Sequence, residues 1–122
     1  MLLETVVPND RRRHVRGRPR IDLPAEIALS PPDPERTLHV VDISLGGVGV
    51  WVQIGPPFEV DDEVTLRLTL GPNEPIELGA VVRYRRGPQE AFCGMRFDTL
   101  NDEMRLIVGR YVGELVERGS VV

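Results

Sequence analysis

Six short apolar segments follow one another along this chain, and each is bounded by residues that favour turns. They span residues 25–29, 38–43, 48–54, 64–70, 76–85 and 91–97. In residues 48–54, branched apolar side chains alternate with other residues, which is the period-2 pattern of a strand with one buried face. The 11 prolines and 12 glycines supply the intervening turns. Six short strands at this spacing predict a small antiparallel β-barrel, because closing the sheet removes its exposed edges.

The segment after residue 100 has a different pattern. Its apolar residues recur every three or four positions, as on one face of an amphipathic helix. They are Met104, Ile107, Val108, Tyr111, Val112, Leu115 and Val116. Asn101 is suited to cap the helix start and Gly119 to end it. The sequence therefore predicts a mainly β domain, a six-stranded antiparallel barrel with one C-terminal α-helix.

Charge is distributed unevenly along the chain. The net charge is −4, and all 15 basic residues are arginine. Six of these arginines lie in residues 11–20, which contain no acid, so this arm carries +6 and the remainder carries −4 − 6 = −10. A nucleic-acid-binding protein is usually basic over a whole face. An acidic body with one basic arm instead favours the binding of one small anion.

Two short motifs combine residue types suited to a phosphorylated ligand. Arg12-x-x-x-Arg16 lies in the arm, and Asp42-x-Ser44-x-x-Gly47 lies in the turn between the second and third predicted strands. Together and in this order, followed by an alternating strand and a closing helix, they resemble the two-part signature of the PilZ domain family. The resemblance extends over nearly the whole chain.

The resemblance implies a specific ligand. PilZ domains are six-stranded barrels that bind cyclic di-GMP (c-di-GMP), a bacterial second messenger. Where the residues match, Arg12 and Arg16 would contact the phosphates and stack on or hydrogen-bond the guanines. Asp42 and Ser44 would address the guanine edges and the ligand backbone, and Gly47 belongs to the same loop.

The chemistry of these side chains agrees with those roles. A guanidinium offers two parallel hydrogen bonds to a phosphate or to the O6/N7 edge of guanine, and its plane stacks on a base. A carboxylate such as that of Asp42 accepts from the N1–H and N2–H₂ groups of guanine, donors that adenine lacks. Gly46 and Gly47 permit positive φ and let the backbone approach the ligand closely.

Further residues are candidates for the same site. The possible additional ligand-binding residues are Arg11, Arg13, Gly46 and Trp51. Trp51 points away from the core neighbours of its strand, so packing against the helix or exposure of its ring is the alternative. Because Arg16-x-x-x-Arg20 repeats the spacing of the first motif, Arg18 and Arg20 are second choices for the ligand.

Other side chains indicate structural roles. Arg83 and Arg85 share one face of the fifth strand. They could extend the anion site, but we expect both to face solvent while Tyr84 points to the core. Cys93, the one cysteine, lies in an apolar strand and is expected to be a packed thiol. No Ser, His, Asp or Cys pattern has the spacing of a catalytic or metal site. We therefore expect no enzyme, no metal and no other cofactor.

These observations combine into one functional hypothesis. We expect residues 1–10 to form a flexible N-terminus, residues 11–20 the basic ligand-binding arm, and residues 21–118 the barrel with its helix. We expect a c-di-GMP receptor in which the ligand closes the arm over the Asp42 loop and changes a surface bound by an unidentified protein partner. With no signal-peptide pattern and no long apolar segment, we expect a cytoplasmic location without membrane insertion.

Two alternatives stay open. A PilZ-like protein-interaction module that does not bind nucleotide would share the same fold. A small barrel that binds nucleic acid would use the arm for phosphate contacts, but the acidic body and the 5% of aromatic residues offer little surface for base stacking. We therefore expect no nucleic-acid partner.

Overall fold

The computed structural model describes residues 14–98 and 100–122, which form six strands and one α-helix. The strands are β1 (Ala25–Leu29), β2 (Thr37–Ile43), β3 (Gly47–Ile54), β4 (Glu63–Leu70), β5 (Ile76–Arg86) and β6 (Phe92–Phe97). The helix is α1 (Asp102–Glu117). Each strand boundary lies within one residue of the prediction, because the alternating apolar residues and the turn residues mark the same limits.

The strands form one antiparallel sheet in the order β1-β4-β5-β6-β3-β2. The two strands at the ends of this order, β1 and β2, pack beside each other. The sheet therefore curls into a nearly closed barrel, which leaves little open strand edge. The predicted six-stranded antiparallel barrel with one C-terminal helix is confirmed.

The core lies inside the barrel and under α1. The buried side chains of β3 and β4 are Val48, Val50, Val52, Leu66, Leu68 and Leu70. From α1, Val108, Tyr111 and Leu115 join the same apolar cluster. The buried hydroxyl of Tyr111 donates to the Leu23 carbonyl at 2.8 Å, and burial raises the pKa of Tyr111 to about 12. The helix thereby fastens the chain just before β1 to the barrel.

Both ends of α1 have the predicted capping residues. The side chain of Asn101 accepts a hydrogen bond from the Met104 amide at 2.8 Å. Asp102 and Glu103 lie in the first turn, where the helix dipole favours acids. After the last turn, Gly119 has φ 75°, a left-handed conformation that suits glycine. This reversal directs the last residues back along the barrel.

Candidate functional site

The end of the basic arm is held as a short extended segment. Gly17 donates to the Ile43 carbonyl and accepts from the Ile43 amide, both at 2.9 Å, so the arm lies antiparallel to the end of β2. A side chain at position 17 would place Cβ 2.7 Å from Cδ1 of Leu115. Glycine therefore lets the arm lie flat on α1, with Arg16 beside the end of β2.

Arg16 and Asp42, one residue from each motif, form an ion pair. Nη1 of Arg16 lies 2.6 Å from Oδ1 of Asp42, and the exposed fractions of the two side chains are 22% and 13%. Partial shielding from water strengthens the attraction relative to an open surface. The β2–β3 register shifts between Val40 and Asp42, and the carboxylate lies across Gly49, where a Cβ would stand 2.9 Å from Oδ1. The irregular register and the glycine together direct the carboxylate towards Arg16.

The loop of residues 44–47 is a tight turn closed by its own hydrogen bonds. The Ser44 amide donates to the Gly47 carbonyl at 2.9 Å, and the Gly46 amide donates to Ser44 Oγ at 3.1 Å. Ser44 is buried, with 3% of its surface exposed. Its hydroxyl therefore stabilises the turn, and its contact with a ligand stays a prediction.

The two glycines of this loop provide space rather than an unusual backbone conformation. Neither Gly46 nor Gly47 uses the positive φ that glycine permits, because positive φ among the described glycines occurs at positions 55, 71, 87 and 119. A Cβ on Gly46 would stand 2.9 Å from the His14 ring, and a Cβ on Gly47 would collide with the Met95 carbonyl. Gly47 thus allows β3 and β6 to approach closely, and Gly46 allows His14 to lie over the loop.

A cavity of about 550 Å³ opens beside this loop. Its lining residues are His14, Arg16, Ser44, Leu45, Gly46, Gly47, Arg83, Tyr84, Gly94, Met95, Arg96, Phe97, Asp98, Leu100 and Arg105. The volume falls in the range of small-molecule sites, roughly 300–1,000 Å³. Four arginines and one aspartate line it, so the cavity is electropositive although the chain as a whole is acidic. It suits an anionic ligand.

The structure brings most of the predicted site residues together. Four of them line the cavity: Arg16, Ser44, Gly46 and Gly47. Asp42 joins this group through its bond with Arg16. Trp51 is not part of the lining and packs on the barrel exterior, with its ring centroid 6.4 Å from that of Phe92. Outside the described residues lie the predicted ligands Arg11, Arg12 and Arg13.

The second-choice ligands of the arm, Arg18 and Arg20, lie away from the cavity. Nε of Arg20 lies 2.9 Å from Oδ1 of Asp22, and this hydrogen bond holds the pKa of the exposed Asp22 carboxyl below its usual value. Arg18 is exposed, and neither Arg18 nor Arg20 lines the cavity. Of the arginines in residues 14–20, Arg16 is the one that reaches it.

Tyr84 lies in the cavity wall, contrary to expectation. The prediction that it points to the core is wrong, because the β5–β6 register shifts between Val82 and Tyr84 and leaves the side chain 39% exposed. Its ring lies over Gly94, where a Cβ would collide with it. Arg83 also lines the cavity, whereas Arg85, expected on the same strand face, does not.

Sequence reasoning missed three further charged residues of the cavity. Arg96 comes from β6, Asp98 from the following loop and Arg105 from the first half of α1. No motif marks them, since their positions depend on how β6 pairs and where α1 packs. Arg96 is paired directly with Gly47, so a correct pairing of β3 with β6 is the signal that would have found it.

The described residues show no metal-binding cluster, reactive thiol or membrane-spanning helix. Within residues 14–98 and 100–122, no three His, Cys, Asp or Glu side chains lie together as a metal site requires. Cys93 is buried, and burial raises the pKa of its thiol to about 11, so it is protonated near neutral pH and a poor nucleophile. No helix in the described part is long and apolar enough to cross a membrane.

The fold and the site together define a class of small barrel domain. In this class an arginine from an N-terminal arm meets an aspartate at the end of a strand, beside an electropositive cavity. The chain matches the PilZ domain family model over residues 10–114, and it belongs to the PilZ domain family.

One solved structure gives an independent comparison. The chain is similar to the PilZ domain with c-di-GMP of YcgR from Escherichia coli, with a TM-score of 0.67 and 15% sequence identity, covering 90% of this chain and 95% of that one. At this identity the similarity shows a shared fold. No curated protein matches the chain in sequence.

Proposed function

We propose that this chain is a receptor for c-di-GMP and that the ligand lies in the cavity between Arg16 and the exposed side of β5 and β6. The observation that carries the proposal is the ion pair of Arg16 with Asp42 at a cavity lined by four arginines. It joins the two halves of the PilZ signature at one site for an anion. The YcgR domain, which shares the fold, is solved with c-di-GMP.

The charges of the cavity fit the ligand. A cyclic dinucleotide presents two phosphates, and Arg16 together with Arg12 would bind one of them or a guanine edge. Arg83, Arg96 and Arg105 approach the same space from other elements and supply cations for the second phosphate. The chemistry that a receptor requires here is recognition of a dianion, for which these cations suffice without a catalytic group.

Asp42 has two roles in this proposal. Its carboxylate accepts from Arg16 at 2.6 Å and so orients the guanidinium towards the cavity. Arg16 retains further N–H donors, because a guanidinium carries five. The remaining lone pairs of Asp42 would accept from guanine N1–H and N2–H₂, which gives selectivity for guanine over adenine.

We further propose that the arm, residues 11–20, closes over the ligand and changes a surface that a protein partner recognises. His14 lines both the large cavity and a second, mainly apolar one of about 300 Å³ beside α1, to which Val15 and Val116 also contribute. Movement of the arm at His14 would therefore alter both places. Faster or slower amide exchange along α1 when c-di-GMP is added would support this coupling, and unchanged exchange would contradict it.

Isothermal titration of the purified protein with c-di-GMP tests the receptor proposal, with cyclic di-AMP and GTP as controls. Saturable binding that is selective for c-di-GMP supports it, and the stoichiometry distinguishes one ligand from an intercalated pair. A folded sample that binds none of the three refutes it. The interaction module without nucleotide would then be favoured, since Asp42 gives Arg16 a partner within the chain.

A further inference from the structure

Residues 16–18 of the arm are held on two sides, and residues 120–122 form the second side. The Val122 amide donates to the Arg16 carbonyl at 3.0 Å, and the Arg18 amide donates to the Ser120 carbonyl at 2.9 Å. The Ser120 hydroxyl donates to the Arg18 carbonyl at 2.7 Å. Gly17 thereby pairs with Ile43 on one side and with Val121 on the other. We call residues 120–122 the clasp.

The end of α1 directs the clasp onto the arm. Gly119, with φ 75°, reverses the chain, and the amides of Gly119 and Ser120 donate to the carbonyls of Val116 and Leu115 at 2.9 and 2.8 Å. This pattern of bonds is a Schellman-type helix end. Leu115 is also the residue on which Gly17 lies. One turn of helix therefore contacts the arm and places the clasp.

The clasp acts on the residue that binds the ligand in the proposed function. Without it, the segment of residues 16–18 would pair only with Ile43 and would rotate more freely about its backbone. Ordering these residues costs conformational entropy, and the free energy of ligand binding would have to supply that cost. We propose that the clasp positions Arg16, so that the affinity for the ligand depends on the hydrogen bonds between the clasp and residues 16–18. This proposal rests on the proposed function.

A proline substitution separates the backbone bond from the side chain. Val122→Pro removes the amide that donates to the Arg16 carbonyl, because proline has no N–H. The preceding residue, Val121, is paired in an extended bridge, and an extended conformation is the one favoured for a residue before proline. Val122→Ala keeps the amide, and the Val122 side chain is 48% exposed, so alanine is the matched control.

Titration with c-di-GMP compares the two variants. Loss of one such hydrogen bond is expected to weaken binding by Val122→Pro roughly three- to tenfold, while Val122→Ala binds within about twofold of the unmodified chain. Ser120→Ala, which removes the side-chain bond to Arg18, is a second variant and is expected to weaken binding roughly two- to fivefold. Val122→Pro and Val122→Ala with equal affinities overturn the proposal.

A measurement without ligand keeps this proposal distinct from the proposed function. If the unmodified chain binds no c-di-GMP, the receptor proposal fails, and amide exchange at Gly17 and Ile43 then decides about the clasp. Exchange several-fold faster in Val122→Pro than in Val122→Ala shows that the clasp holds the arm. Equal exchange at both amides shows that it does not.

Discussion

Replacement of Arg16 by alanine is the substitution whose effect on c-di-GMP affinity follows most directly from the geometry of the site. It removes the guanidinium that lines the cavity and that lies 2.6 Å from Asp42. One charge-assisted hydrogen bond is worth about 1.5–3 kcal/mol, and every 1.4 kcal/mol is about tenfold in affinity. We therefore expect Arg16→Ala to weaken c-di-GMP binding by roughly 10- to 150-fold. The Asp42 carboxylate left without its cation would repel the phosphates and add to this loss.

The assay is isothermal titration, accompanied by thermal unfolding. Arg20→Ala is the matched control. Arg20 belongs to Arg16-x-x-x-Arg20, which repeats the spacing of the first motif, but it pairs with Asp22 and does not line the cavity. The affinity of this variant should equal that of the unmodified chain. The Arg16–Asp42 pair is partly exposed, so breaking it should cost about 1 kcal/mol of unfolding free energy. That cost lowers the unfolding midpoint by no more than roughly 8 °C.

The partner variant Asp42→Asn tests selectivity. An amide keeps the shape of the side chain but loses the charge and one acceptor position, so it cannot accept from both guanine donors. Such a pair discriminates by about 1–3 kcal/mol. The preference for c-di-GMP over cyclic di-AMP should therefore fall by roughly 5- to 150-fold. Unchanged affinity in Arg16→Ala, or unchanged selectivity in Asp42→Asn, would refute the assigned roles.

Three further predictions concern residues around the site. Gly94→Ala should weaken c-di-GMP binding severalfold with little change in stability, because the new Cβ displaces the half-exposed Tyr84 ring from the cavity wall; an unchanged titration would remove Tyr84 from the site. Gly47→Ala forces β3 away from β6 and should lower the unfolding midpoint by roughly 4–12 °C. Gly113→Ala, whose Cβ meets nothing within 4 Å, should leave the midpoint equal or higher, and an equal fall of the midpoint in both variants contradicts the packing argument. Burial raises the pKa of Cys93 from 9.0 to about 11, so the folded state favours the protonated thiol. Its contribution to stability is therefore complete below pH 9 and is lost between pH 9 and 11. Iodoacetamide should label Cys93 at pH 8 only after denaturation, and rapid labelling of the native protein contradicts this.

The architecture could be predicted from local sequence because each element carries its own signal. The alternation in residues 48–54 and 64–70 follows from one face being buried in a barrel. Asn101 and Gly119 mark the ends of α1 through the orphan amides and carbonyls of any helix. The motif residues Arg16 and Asp42 could also be identified, through the resemblance of the two motifs to the PilZ signature.

The reasons for several residues became visible only in three dimensions. Tyr84 faces the cavity because a register shift with β6 adds one residue to β5, and a period-2 pattern does not record such a shift. Gly47 is needed for the approach of the Met95 carbonyl on another strand, and not for a local turn conformation.

The six strands and the closing helix follow from local sequence, because hydrophobic period, turn residues and capping act over a few neighbouring positions. The two halves of the signature could be identified by their resemblance to the family motif. The contact of Arg16 with Asp42, and the pairing of residues 120–122 with residues 16–18, are visible only in the folded chain. The tertiary structure also placed arginines of β5, β6 and α1 around one cavity. These arrangements join residues from distant parts of the chain, and strand register and helix docking set them together.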